Sequence, residues 1–234
     1  MQDLRVTLVQ GDTLWHDPAG NRDYYGRLIA PLAFHRARDT DPHSSKSFDS
    51  RAIALWYTSD DEGVTWKEAP QWQALPVPAS RSGLQEPGIV ELADHSLLAF
   101  FRTDQGVQYE ARSTDAAKTW TPVEQGPLHS PTSPASLELI PGTDKVLAVW
   151  NDHSGSFPMV KGKRTPLVAA LSTDGGRAWT HAKALETDPE GWYCYTAIHF
   201  VKDAVLLAYC AGDAKIGGLN RLRIRRVATN WLTQ

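Results

Sequence analysis

The hydrophobic positions of this chain fall in short runs bounded by turn-forming residues, and no stretch keeps a 3.6-residue period over three helical turns. The pattern predicts strands and little helix. A first group covers Arg5–Gln10, Arg27–His35, Ala52–Ser59 and Thr65–Trp72. A second covers Glu86–Leu92, Ser96–Arg102, Val107–Ser113 and Thr119–Val123. The third is Ser136–Ile140, Lys145–Trp150, Leu167–Ser172 and Ala178–Lys183. The fourth is Tyr195–Val201, Ala204–Cys210, Leu222–Val227 and a poorer strand near Trp231. Such groups, each of about 50 residues and joined by tight turns, predict four-stranded antiparallel sheets in series.

Three of the turns between third and fourth strands are near copies of one another. They run Ser59-Asp60-Asp61-Glu62-Gly63-Val64-Thr65-Trp66, Ser113-Thr114-Asp115-Ala116-Ala117-Lys118-Thr119-Trp120 and Ser172-Thr173-Asp174-Gly175-Gly176-Arg177-Ala178-Trp179, at intervals of 54 and 59 residues. The Asp can accept hydrogen bonds from backbone N–H groups of the turn, and Gly supplies positive φ without steric cost. Ala117 stands where the pattern wants Gly, and Ala178 where it wants Thr. The Trp is expected to pack between neighbouring sheets, so the repeat reads as a device that holds the fold.

This Ser-x-Asp-x-Gly-x-Thr-Trp pattern resembles the Asp box (BNR repeat) of sialidases and related β-propellers. The resemblance implies an all-β propeller of four-stranded antiparallel blades, here about 4–75, 84–125, 133–185 and 193–232 within one domain of residues 1–234. Sialidase-like propellers have six blades. The four present match the later part of the family, which implies a truncated propeller with an open edge available for self-association.

Hairpin pairing locates a functional end of these blades. It sets Glu86 opposite Arg102 or Thr103, Tyr195 opposite Cys210, and Asn151 opposite Pro134. These positions open a first strand or close a second, so they should gather at one mouth of a central channel with the loops 36–50, 103–106, 152–163 and 211–218. Arg51 and Arg164 each stand eight residues before a box Ser. Two guanidiniums at equivalent offsets suggest anion recognition.

Sialidases bind the substrate carboxylate with three Arg and use a Tyr nucleophile activated by a Glu. The resemblance carries these roles to Tyr195 (in Tyr195-Thr196-Ala197-Ile198) and Glu86 as the catalytic pair, and to Arg102 and Arg164 as substrate-binding residues. A Tyr suits a substrate that is itself a carboxylate, because an ionised Asp or Glu would be repelled. Arg51 and Asp104 join the substrate-binding set, and Asp49 is a candidate acid, with Asp104 a second. The family's first Arg has no counterpart beyond Leu4-Arg5-Val6, and a late Glu expected near Tyr195 is replaced by Cys210. Plainer roles stand beside these: Glu86 as a strand-end carboxylate paired with Arg102, Tyr195 as a core aromatic, Arg164 as part of a solvated basic loop.

Composition narrows the partners. Lys+Arg 24 against Asp+Glu 27 gives a net charge of −3, which disfavours nucleic acid. The arginines Arg221, Arg223, Arg225 and Arg226 read as charge protecting a strand edge. No apolar run approaches the ~20 residues of a membrane helix, and residues 1–10 contain no signal-like apolar core. The compartment is left open. Cys194 and Cys210 are too few for a disulfide scaffold or a four-thiolate zinc site, and are expected to be reduced, buried and inert. His35, Asp152 and His153 reach the mouth without metal-ligand spacing, so neither a metal nor a cofactor is expected. The expected activity is retaining, exo-type hydrolysis of a sialic-acid-type glycoside, incomplete over this length of chain. The alternatives are a non-catalytic glycan-binding propeller or an inactive fragment.

Overall fold

The computed structural model describes residues 7–8, 13–15, 27–37 and 48–233. Met1–Arg5 and the greater part of the loop 36–50 lie outside the described residues. Sixteen strands follow in order: β1 (Thr7–Leu8), β2 (Thr13–Trp15), β3 (Arg27–Ala37), β4 (Phe48–Ser59), β5 (Lys67–Glu68), β6 (Gln85–Glu91), β7 (Leu97–Arg102), β8 (Val107–Ser113), β9 (Glu124–His129), β10 (Ser136–Leu139), β11 (Val146–Asn151), β12 (Leu167–Ser172), β13 (Thr180–Glu186), β14 (Gly191–Val201), β15 (Ala204–Asp213) and β16 (Leu222–Ala228). A short helix, α1 (Thr229–Thr233), closes the described chain. The strands form four antiparallel sheets ordered β1-β3-β4-β5 with β2 also on β3, β6-β7-β8-β9, β10-β11-β12-β13, and β14-β15-β16. This is the all-β, blade-by-blade organisation that the repeats imply.

Two compact units are present: residues 1–104 with 109–124, and residues 105–108 with 125–234. In the first, the core is built on Trp56, Phe101, Ile29, Leu84, Leu97 and Leu98, all fully buried. Trp120 stacks on Trp56 with ring centroids 4.3 Å apart. In the second, the inner faces of β11, β12, β14 and β15 contribute Leu147, Val149, Leu167, Leu171, Tyr193, Leu207 and Tyr209 to one apolar cluster. Burial falls from inner to outer strands: β12 is buried throughout, whereas β13 reads mostly exposed at its start.

The box turns are built alike. Ser59 Oγ donates to Asp61 Oδ1 (2.8 Å) and accepts from Gly63 N (2.8 Å). Asp61 then accepts from Thr65 N and Thr65 Oγ1 at 2.8 and 2.6 Å. Asp115 repeats both bonds with Thr119 at the same distances. Asp174 keeps the backbone bond to Ala178 N (2.9 Å), but Ala178 has no hydroxyl to offer. These bonds favour the charged carboxylates. That of Asp61 is held at about 2, chiefly by Thr65, and those of Asp115 and Asp174 are also lowered. Ala117 adopts left-handed backbone, φ 65°, in place of the glycine of the other copies, and Ala116, φ 60°, does so where the first copy has Glu62 at φ 58°. That geometry costs a non-glycine residue roughly 1–2 kcal/mol.

Three expectations are corrected. The fourth strand of the second sheet is Glu124–His129, not Thr119–Val123. Trp120 is drawn into the core, and Pro122 in the intervening segment has no N–H for a ladder. The chain near Trp231 is helical, with Thr229 N bonded to Asp203 O (3.0 Å). The box Trp are not uniformly packed: Trp120 is 6% exposed, Trp66 41%.

Candidate active site

In the first unit, β6 pairs with β7 through Gln85↔Arg102 and resumes at Gly88↔Phe100, so Glu86 and Pro87 form a bulge. Glu86 takes φ 46°. The residue before a proline is expected to be extended, and here the bulge overrides that preference. It turns the carboxylate onto the closing residue of β7, where Glu86 Oε1 meets Arg102 Nη1 at 2.7 Å. Both side chains are largely buried, at 11% and 17% exposure. The pair foreseen from the hairpin is therefore formed, one residue out of simple register.

Arg51, Asp104 and Asp49 also lie in this unit, where the structure gives each a local hydrogen-bonding task. Arg51 donates to the carbonyls of Pro78 (2.7 Å), Ser80 (2.9 Å) and Leu75 (3.3 Å). The Asp104 carboxylate accepts from Ser80 Oγ (2.6 Å) and Arg81 N (2.7 Å). Both thus brace one loop, 75–83, which Gly83 closes with φ 59° against Ala52. Asp49 Oδ1 accepts from Arg51 N at 3.1 Å, and its carbonyl lies 2.9 Å from His35 Nδ1.

In the second unit the first strand of the fourth sheet repeats the device. Cys194↔Cys210 is the last regular pair before a bulge, and pairing resumes at Ala197↔Ala208. Tyr195, expected opposite Cys210, instead sits in the bulge with φ 56°. Glu86 and Tyr195 thus occupy the same place in two blades, each in a left-handed conformation that disfavours a side chain. Strain of this kind collects at functional positions.

Arg164 lies against Tyr195 and is only 9% exposed, so it is no solvated loop cation. Its guanidinium carbon is 5.3 Å from the Trp192 ring centre and 5.4 Å from that of Tyr195. Burial opposes its charge, but the neighbouring Cys194 and Tyr195 outweigh that and raise its pKa. The Arg164 carbonyl accepts from Tyr193 N (2.9 Å), locking the end of the loop to β14. Beside Arg164 and Tyr195 opens a cavity of about 390 Å³, walled by Trp192, Gly217, Gly218 and Leu219. Its rim carries the ion pairs Lys163–Glu190 (3.7 Å) and Arg221–Asp213 (3.3 Å). A Cβ on Gly218 would lie 2.7 Å from the Trp192 ring, so the loop after β15 can close on that ring only as glycine.

Sequence reasoning placed the loop 211–218 at this end but missed Trp192 as part of the site. The signal was available, because Trp192 and Cys194 alternate with the core residue Tyr193 and so must share its opposite face. Elsewhere, His153 Nε2 lies 3.2 Å from the Thr165 carbonyl, and Asp152 accepts from Ser154. On β16, Arg223 pairs with Glu186 (2.6 Å) and Arg226 with Asp203 (2.7 Å).

A buried guanidinium beside a phenol, at the wall of a largely apolar cavity, can anchor a carboxylate next to a nucleophilic oxygen. Comparisons with known proteins bear on the family and the fold. The BNR repeat-like domain family matches residues 6–207. An intramolecular trans-sialidase from Ruminococcus gnavus superposes with a TM-score of 0.62 at 20% identity, over 91% of this chain and 42% of that one. A leech intramolecular trans-sialidase gives 0.62 at 20% identity, over 92% and 30%. A Dyadobacter fermentans protein of unknown function gives 0.63 at 20% identity, over 87% and 50%. The chain thus spans half or less of the length of these structures. Curated proteins yield no match.

Proposed function

Because the chain belongs to the BNR repeat-like family and has a sialidase-type fold, we propose that it serves a retaining exo-glycosidase activity on sialic-acid-type glycosides. The observation that supports this most directly is Arg164 held against Tyr195 at the cavity wall. In the second unit, Arg164 anchors the sugar carboxylate and Tyr195 supplies the attacking oxygen. A neutral phenol approaches an anionic sugar without the repulsion an ionised carboxylate would meet. In the first unit, Glu86 orients the Arg102 guanidinium, and the part of Arg102 in substrate binding rests on the family resemblance. The role of Glu86 as base for the phenol, and of Asp49 as acid, rests on the family resemblance. Attack at the anomeric carbon, with the phenolic proton passing to Glu86 and the leaving oxygen taking a proton from the acid, expels the aglycone and forms a covalent tyrosyl (aryl) glycoside, which water then hydrolyses with net retention.

The test is release of a fluorogenic leaving group from an aryl sialoside by the folded chain. Tyr195→Phe should abolish it, and Glu86→Gln should slow it by about 10²–10⁴-fold, as loss of a general base does. Asp49→Asn is measured alongside. Turnover that survives Tyr195→Phe would overturn the mechanism. Saturable sialic-acid binding without turnover, lost in Arg164→Ala, would instead establish a glycan-binding protein.

A further inference from the structure

The chain has two cysteines, Cys194 and Cys210, and the fold sets them face to face. Residues directly opposed in an antiparallel pair point to the same side of the sheet, with Cα atoms about 4.5–5.5 Å apart. A disulfide requires roughly 4.4–6.8 Å. Both are free thiols, Cys194 buried and Cys210 partly exposed. Their pairing is the last before the bulge that carries Tyr195, and the Arg164 guanidinium lies against Tyr195 in the neighbourhood of Cys194. A neighbouring cation favours the thiolate, which is the form that attacks disulfides. Both cysteines are reduced as expected, and Cys210 is less buried than expected.

We infer that Cys194 and Cys210 are a redox-active dithiol that closes to a reversible cross-strand disulfide when met by a low-molecular-weight disulfide. The partly exposed Cys210 thiolate attacks one sulfur of the oxidant, forming a mixed disulfide and releasing one thiolate. The Cys194 thiolate then attacks the Cys210 sulfur, forming the Cys194–Cys210 bond and releasing the second. Overall the protein loses two electrons and two protons, and the oxidant is reduced to two thiols. The inference stands on strand register and is independent of the glycosidase reading.

The experiment incubates the reduced, folded chain with oxidised glutathione, then measures intact mass and alkylation. Wild type should lose the mass of two hydrogens, with both cysteines protected from iodoacetamide together and restored by dithiothreitol. Cys194→Ser should stop at a glutathione adduct on Cys210. Full unfolding in guanidinium before oxidation should remove the preference for the internal bond. Folded wild type that accumulates the mixed disulfide, or stays fully alkylatable, would overturn the inference. Sialoside turnover of the oxidised and reduced forms is read separately, so failure of the enzymatic reading leaves this result interpretable.

Discussion

The second and first Asp boxes place a tryptophan at the same motif position in two different environments, which separates what the motif does from what the ring does. Trp120 is 6% exposed and stacks on Trp56 at 4.3 Å, whereas Trp66 is 41% exposed and donates its indole N–H to the Gly63 carbonyl. A buried aromatic of this kind removes about 150–250 Å² from water, an upper limit of roughly 4–6 kcal/mol at ~25 cal/mol per Å². Relaxation around the cavity brings the cost of Trp120→Ala to about 3–5 kcal/mol, including the lost ring–ring contact. The backbone bond from Trp120 N to Gln71 Oε1 (2.7 Å) survives the change. Trp66→Ala should cost no more than about 1 kcal/mol, since most of its ring is already wet. Urea unfolding followed by far-ultraviolet circular dichroism reads both, each against wild type at fixed pH. Equal losses for the two variants, or a loss below about 1 kcal/mol for Trp120→Ala, would refute the claim that burial sets the value of the box tryptophan.

Gly83→Ala should destabilise by about 3 kcal/mol in the same assay. The added Cβ would lie 2.2 Å from the Ala52 carbonyl oxygen at φ 59°, so left-handed strain adds to the loss of two backbone bonds, Ala52 N→Ser82 O and Leu84 N→Ala52 O. A midpoint unchanged from wild type would show that the loop yields freely. Acid should weaken the boxes: the folded pKa of Asp61 lies below its unfolded value of 3.8, at about 2. Its contribution is therefore present above ~4 and lost as pH falls through that window, and Asp115 and Asp174 act in the same direction. Thr65→Val should shrink this pH dependence, seen as a smaller fall in urea midpoint between pH 5 and 2; an unaltered slope would count against the box as its source. Arg102→Ala should cost about 3–5 kcal/mol by leaving the largely buried Glu86 without its arginine, and Glu86→Gln should restore part of that. A double-mutant cycle checks the coupling, and strict additivity would mean the ion pair is energetically idle.

The legible parts of the fold are those where local and tertiary preferences agree. Val107–Ser113 and Leu167–Ser172 are strands over the ranges their sequence predicts, because the box that follows ends each one at its Ser. Outer strands carry no such marker. Glu124–His129 is mostly exposed and has little hydrophobic pattern, so nothing local distinguishes it from the preceding segment. Register failed at Tyr195 for a related reason: hairpin pairing assumes an unbroken ladder, and a bulge of extra residues leaves no mark in composition. Arg164 and Arg51 look alike in sequence, eight residues before a box. The structure surrounds one with aromatic rings and a cavity and the other with backbone carbonyls. A guanidinium binds any well-placed oxygen, so only the fold decides which task it has.

The two bulges bear on how such a protein can change over generations. In the second blade the strained slot holding Glu86 opens the first strand, while the box 113–120 joins the third and fourth, at the other end of the same meander. Side chains in the slot contribute little to the turn that secures the blade, and the turn contributes nothing to what the slot presents. Substitution in one region therefore leaves the other intact. A duplicated blade inherits a position whose side chain can change without altering the box turn, so old chemistry can be lost while the turn persists.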